Sequence, residues 1–413
     1  MLTFANMNLN QLLMHWHGII FTTLCANAFI QLFYYLFFFI RLSFYKKTSK
    51  TTSQTHPVSV IICARDEAAN LAKNLPGSLV QQYTTTHEVI VVDDNSFDDS
   101  RYLLEEFQKT FKQLHVVELK QEAKLITGKK FPLSIGIKTA KYEVVLLTDA
   151  DCVPASEFWI EKMQETYDDG TEIVLGYGAY YKKNGLLNKL VRWESFHTAL
   201  QYFSYALAGL PYMGVGRNLS YKKTIFFRHK GFSAHNNIPS GDDDLFINTA
   251  ATKRNTKINI DEDTFTLSDP VTTWSQWMKQ KTRHYTTGKY YKPLHKFLLG
   301  LYSVTHFLFF PLLIISCLFF SWQWTLIVFG IRLITQAIVF YPAMKKLNEK
   351  DLYPFFLVFD VWMFFYYLIF ALALIKKPRP AWNYLVGRHI FLIHKYALIT
   401  ASLKPIFVEK KST

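Results

Sequence analysis

Two kinds of apolar run divide the 413-residue chain. Long runs lie near its ends. Residues 18–42 carry one charge, Arg41, and 297–320 carry none. Residues 322–342 hold only Arg332, and 353–375 hold only Asp360. Each run is long enough to span a bilayer core of about 30 Å. Short runs fill the middle and alternate with helical spacing. "VSVIICA" (58–64), "EVIVVDD" (88–94), "LHVVEL" (114–119), "EVVLLTD" (143–149) and "EIVLGYGAY" (172–180) predict strands. The stretches 66–82, 99–112 and 132–141 predict the helices between them. Near-continuous Val, Ile and Leu mean both sheet faces are covered, as in α/β folds with a mostly parallel sheet.

Residues 186–210 place apolar side chains at 186, 190, 193, 196, 200, 203, 207 and 210, one face of a helix. That helix either packs on the sheet or lies on a membrane surface. Residues 271–292 mix Trp274, Trp277, Met278, Tyr285, Tyr290 and Tyr291 with basic residues, which predicts a second interface-hugging segment. The expected organisation is a membrane helix over 1–45 and a polar linker over 46–56. A catalytic domain follows over 57–292, then membrane segments over 293–375 and a basic tail over 376–413.

Half the residues are hydrophobic, 17% are aromatic and the net charge is +14. The composition excludes a disordered chain. The basic residues flank the apolar runs, where they would meet anionic lipid. No nucleic-acid-binding motif accompanies them, so nucleic acid is not an expected partner. No Lys or Arg precedes the first run, whereas Arg41, Lys46, Lys47 and Lys50 close it. By the positive-inside rule the N-terminus is outside, and the domain from residue 46 onward is cytoplasmic. The basic tail and the basic 345–350 turn conflict with four full crossings. This predicts that 353–375, with Pro354 and Asp360, is re-entrant, interfacial or broken. Cys25, Cys63, Cys152 and Cys317 have no metal-ligand spacing and fit a reduced compartment without disulfides.

Acidic clusters sit where the short runs end. Asp93 and Asp94 close the second strand, Asp149 and Asp151 follow the fourth, and Asp242, Asp243 and Asp244 stand in "SGDDDLF". Carboxylates at the ends of buried strands are costly unless they bind something. In open α/β sheets ligands lie outside those ends. Alternate residues in D-x-D can direct one carboxylate to a divalent cation and the other to a sugar hydroxyl. Clustered carboxylates raise one another's pKa, which suits a base. Lys129 and Lys130 in "TGKKFPL" can neutralise phosphate or form a solvated turn. Asp94, Asn95 and Ser96 can also cap the helix near 99.

The ordered set "PVSVIICARDEAANL", "VVDDNS", "TGKKFPL", "TDADC", "GVGRNLSYKK", "SGDDDLF" and "QKTRHY" resembles family 2 glycosyltransferases of the GT-A fold. The likeness is to the membrane-bound synthase type, which includes cellulose, chitin, hyaluronan and poly-N-acetylglucosamine synthases and ceramide glucosyltransferase. It runs from about Pro57 to Gly288. The resemblance implies a donor site of Asp93, Asp94, Asp149, Lys129, Lys130, Gln280 and Arg283. It implies Mg2+ or Mn2+ on Asp151, with Asp149 its partner. Asp243 would be the base and Asp242 its neighbour, although a one-residue slip gives Asp242 or Asp244. Arg217, Asn218 and His284 would face the acceptor. His284 stands where the family's Q-x-x-R-W motif has Trp, which weakens the inference of a processive polymerase.

The implied function is an integral membrane inverting glycosyltransferase, in the inner membrane if bacterial, with polysaccharide or glycolipid of the cell envelope as product. It would move a sugar from a nucleotide-sugar, a UDP-sugar, to a lipid-linked or growing glycan acceptor. The rivals are a polyprenyl-phosphate sugar transferase and a catalytically inactive membrane scaffold.

Overall fold

The computed structural model describes residues 9–46, 56–120, 128–238 and 240–371, with side chains from Trp16 onward. The expected basic tail and nearly all of the linker lie outside the described residues.

Ten strands are described: β1 (Val58–Ala64), β2 (His87–Asp93), β3 (Leu114–Glu118), β4 (Val144–Asp149), β5 (Cys152–Pro154), β6 (Ile173–Leu175), β7 (Gly178–Tyr180), β8 (Leu219–Lys222), β9 (Thr256–Ile258) and β10 (Thr266–Ser268). Seven form one sheet in the order β3-β2-β1-β4-β8-β6-β9, and β5-β10-β7 form a second. The β3-β2-β1-β4 half is parallel, as expected from its unbroken Val and Ile runs. β8 runs antiparallel to both β4 and β6. Helices Ala68–Leu79, Ser100–Thr110 and Lys130–Thr139 link the parallel strands. Gly136 lets the last of these lie close on the sheet, since a Cβ there would stand 2.7 Å from Ile61 Cγ2.

The single strand expected over 172–180 is two strands in two sheets. The chain bends at Gly176, where a Cβ would stand 2.5 Å from Asn218 Cγ, so only glycine fits against that buried amide. Asn218 holds the bend by donating from Nδ2 to the Tyr177 carbonyl at 2.9 Å and the Thr264 carbonyl at 2.6 Å.

Among the described residues, four helices are long and apolar enough to cross a membrane: Trp16–Ser43, Pro293–Phe319, Trp322–Lys346 and Lys350–Ala371. The first contains a π-helical stretch, Tyr34–Phe39. The fourth begins as a tight turn, Lys350–Phe355, around Pro354 and continues as the α-helix Phe356–Ala371. Proline's missing N–H explains why the regular helix starts only after it.

The helix Leu186–Leu207 is neither a surface helix nor a plain cover for the sheet. It is buried on most sides between the domain and the apolar helices. Tyr202 donates to the Gly176 carbonyl at 2.8 Å on the domain side. On the other side Phe38 stacks on Tyr205 at 4.4 Å, and His197 Nε2 lies 3.0 Å from Tyr302 Oη. Arg192 Nε donates to Glu349 at 2.9 Å and Nη1 to Asp351 at 2.8 Å. The segment 271–292 forms the helix Trp274–Tyr285, whose Trp277 is buried against Trp362, Tyr366 and Phe370.

Candidate active site

The carboxyl ends of β1 and β2 open into two loops that hold each other. Asp66 and Asn95 sit at φ 55° and 58°, the left-handed region that Asp and Asn tolerate best among non-glycine residues. The Asp66 N–H donates to Ser96 Oγ at 2.9 Å, and the Phe97 N–H returns to Asp66 Oδ1 at 2.7 Å. Asp93 Oδ1 accepts from the Ser96 N–H at 3.1 Å and Ser96 Oγ at 2.5 Å. Burial outweighs these bonds and pushes the Asp93 carboxyl up. Asp94 is fully buried, with Arg65 Nη1 4.0 Å away. The expected cap of the following helix by 94–96 does not form. Asp98 Oδ1 takes the Ser100 N–H at 3.0 Å instead, because Ser96 is already committed to Asp66 and Asp93.

Asp149 ends β4, and Asp151 lies two residues beyond it. Asp149 is paired with Lys129. Burial opposes its charge, yet Lys129, Arg217 and Arg283 hold the carboxyl below the usual range. Asp151 is open to solvent; the enclosing protein and then Asp149 push its carboxyl up. Cys152 Sγ donates to Asp151 Oδ1 at 3.2 Å. One ligand atom each from Asp149, Asp151 and Cys152 lies within 4.8 Å of the others. Two carboxylates at that spacing fit a hard divalent cation, Mg2+ or Mn2+, that keeps other positions for phosphate oxygens.

The third cluster is set by a turn at Gly241 (φ 93°) and by the helix Asp244–Ala250. Asp243 is its N-cap. Its Oδ1 accepts the Asp244 N–H at 2.7 Å and its Oδ2 the Gly216 N–H at 2.8 Å. Burial, then Asp242 and Asp244, push the Asp243 carboxyl up to about 7. Asp244 is turned away into a buried network. It accepts from Thr287 Oγ1 at 2.5 Å, Tyr291 Oη at 2.7 Å and the Leu245 N–H at 2.8 Å. Asp242 is half-buried, and its field reaches Lys129.

The structure brings the expected residues together unevenly. Arg217 lies 4.4 Å over the Tyr180 ring, donates to Ser268 Oγ at 3.0 Å, and feels both Asp151 and Asp149. Its neighbour Gly216 holds Asp243, so residues 216–217 connect the second and third acidic clusters. Arg283 acts on Asp149. Gln280 Oε1 is buried with no hydrogen-bond partner among the described residues. His284 is open to the cleft, and its surroundings, then Lys281, Arg283 and Arg217, push its imidazole well below the usual value. Two residues point elsewhere. Lys130 is buried and donates to the His235 carbonyl at 2.6 Å and the Ile238 carbonyl at 2.9 Å. Asn218 is buried in the Gly176 bend described above. Both shape loops beside the site.

Sequence reasoning missed Tyr180 beneath Arg217, the Thr287–Tyr291 clasp on Asp244, and a buried pair between Lys281 and Glu194.

Residues 59–234 match the glycosyl transferase family 2 profile. The chain is 31% identical over 101 residues to a beta-monoglucosyldiacylglycerol synthase of Nostoc sp., covering 24% of this chain and 21% of that protein. It is 29% identical over 137 residues to the glycosyltransferase AglE of Haloferax volcanii, covering 32% of this chain and 43% of that protein. The chain thus matches less than half the length of these relatives. The mannosyltransferase PcManGT of Pyrobaculum calidifontis, solved with GDP-Man and Mn2+, shares the fold at a TM-score of 0.52 and 17% identity, over 84% of this chain and 99% of that one. The match to the glycosyl transferase family 2 model is confined to residues 59–234, and the sheet they help build has a GT-A-like α/β fold.

Proposed function

We propose that this protein is a membrane-embedded inverting glycosyltransferase. It takes a UDP-sugar and glycosylates a hydroxyl of a lipid-linked or growing glycan acceptor. The observation that carries this reading is the Gly216–Arg217 link. Gly216 holds Asp243, whose carboxyl is raised to about 7, and Arg217 next to it lies in the field of Asp149 and Asp151, which supports a base close to a diphosphate site. The match to a beta-monoglucosyldiacylglycerol synthase and the four long apolar helices support a lipid-borne acceptor.

Asp93 and Asp94 receive the nucleoside at the paired loops after β1 and β2. Asp149 and Asp151 hold the divalent cation, which when bound supplies positive charge to the departing diphosphate. Arg283 adds a fixed cation, and its guanidinium suits phosphate. Gln280 Oε1 offers an acceptor to a hydroxyl of the bound sugar. Asp243 takes the proton of the attacking acceptor hydroxyl, with two backbone N–H groups fixing its orientation. Asp244 already accepts three hydrogen bonds and positions the 286–291 segment instead of acting as base.

The test is UDP release by detergent-solubilised protein offered a panel of nucleotide-sugars, with and without lipid extract. Release from a UDP-sugar, stimulated by the extract, is expected. Absence of both turnover and nucleotide binding across the panel overturns the reading.

A further inference from the structure

The helix Trp274–Tyr285 has two faces. Arg283 acts on Asp149 and Arg217 acts on His284, and Gln280 shares their stripe at three- and four-residue spacing. Trp277, Lys281 and Tyr285, spaced by four, lie on an adjacent stripe that faces the apolar helices. Trp277 lies 5.9 Å from Tyr366 and 5.6 Å from Phe370, and Tyr285 stacks on Phe370 at 5.5 Å. These ring contacts bury the stripe but carry no charge. The charge between them is directional. Lys281 Nζ pairs with Glu194 of the helix Leu186–Leu207, with the two side chains 7% and 9% exposed. Glu194 Oε1 also accepts from Thr198 Oγ1 at 3.1 Å and Tyr366 Oη at 3.4 Å. One buried carboxylate therefore gathers three elements: the cleft helix, the junction helix and the last apolar helix.

We propose that the Lys281–Glu194 pair is a positioning device that sets Arg283 and Gln280 against the donor diphosphate and ties their placement to the last apolar helix. Neither Lys281 nor Glu194 touches the donor. A buried ion pair adds little net stability but strongly penalises arrangements that separate its members. Sliding the cleft helix by one turn, about 5.4 Å, would carry the Lys281 ammonium to where Trp277 now sits, against Tyr366 and Phe370. The pair therefore restricts the helix to one register, and Arg283 inherits that register two residues on. This rests on the proposed nucleotide-sugar reading.

The experiment measures UDP and UMP affinity by calorimetry on the full chain in detergent, with Mn2+. In Lys281→Met, UDP binding should weaken about tenfold or more, the scale of one lost charged hydrogen bond. UMP, which lacks the second phosphate, should bind as it does to wild type. Lys281→Arg keeps the charge and should restore most of the UDP affinity. Glu194→Gln keeps the shape and should repeat the Lys281→Met pattern, and it serves where Lys281→Met does not fold. Equal loss of UDP and UMP would mean a general structural role and overturn the proposal. So would unchanged UDP affinity in both uncharged variants. Failure of wild type to bind either nucleotide would instead overturn the glycosyltransferase reading itself.

Discussion

Arg332 and Asp360, the sole formal charges of two apolar runs 28 residues apart, meet in a two-pronged ion pair. Nη1 lies 2.6 Å from Oδ2 and Nη2 3.1 Å from Oδ1, with both side chains fully buried. Gln31 of the first apolar helix accepts from Arg332 Nε at 2.6 Å, and Gln336 donates to Asp360 Oδ1 at 2.8 Å. His306 Nε2 reaches the Asp360 carbonyl at 3.0 Å. All four apolar helices thus contribute to one polar knot. Arg332 and Asp360 are each the single charge of their run, on either side of the 343–352 turn.

Breaking one half of the pair should cost more than removing both. A charge left alone at mid-bilayer depth costs about 2.5–3.5 kcal/mol on insertion scales. Arg332→Ala and Asp360→Ala should each lower thermal stability in detergent, and the double variant should lose clearly less than their sum. Additive losses would show that the two side chains do not interact.

Asp243→Asn keeps the size of the base and removes its basicity. Transfer should fall about 10²–10⁴-fold, the range for a lost general base, while UDP affinity holds. Asp242→Asn should do less. Asp244→Asn should act through stability, because it weakens the bonds from Thr287 and Tyr291. Normal turnover by Asp243→Asn with an inactive Asp242→Asn moves the base by one residue.

The pH profile follows from the same group. Asp243 works only when ionised, and its carboxyl is raised from 3.8 to about 7. In the free enzyme kcat/KM should therefore rise with pH through about 7, and Asp243→Asn should abolish that limb. The stability sign is opposite. Holding the ionised carboxylate in this site carries a penalty that is absent below about pH 4 and complete above about pH 7. Asp243→Asn should thus stabilise the protein relative to wild type at pH 8 but not at pH 4. A wild-type limb near 4 would show an unperturbed Asp.

Asp151→Ala should weaken Mn2+-dependent UDP binding while leaving the thermal transition of the nucleotide-free protein intact. Asp151 is solvent-exposed at the end of β4, so its removal opens no cavity. Calorimetry with and without Mn2+ measures this. Unchanged Mn2+-dependent affinity removes Asp151 from the cation site.

Orientation is testable with Thr51→Cys in the segment after the first apolar helix. The lysines there predict a cytoplasmic side. The cysteine should resist a membrane-impermeant reagent in intact cells and react after permeabilisation. Labelling in intact cells would reverse the orientation.

The sequence by itself determined the elements whose physics is local. β1, β2 and β4 were legible because strands covered on both faces must be apolar throughout. The four long helices were legible because lipid tolerates almost no charge. The acidic clusters stood out because carboxylates at buried strand ends need a reason to be there. Arg332 and Asp360 stood out as single charges in otherwise uncharged runs. Only the tertiary structure decided the rest. The 172–180 run splits at Gly176 because Asn218, over forty residues away, fills the space a side chain would need. Lys130 and Asn218 carry the same motif signal as Lys129 and Arg217, yet their polar atoms are taken up by distant carbonyls. Asp242, Asp243 and Asp244 are identical in sequence and differ only in their neighbours: Gly216 on Asp243, Thr287 and Tyr291 on Asp244. Lys281 and Glu194 are 87 residues apart and meet only because the last apolar helix presses both helices together. Hydrophobic period is fixed by near neighbours along the chain, whereas a polar atom's partner is fixed by whichever distant segment arrives beside it.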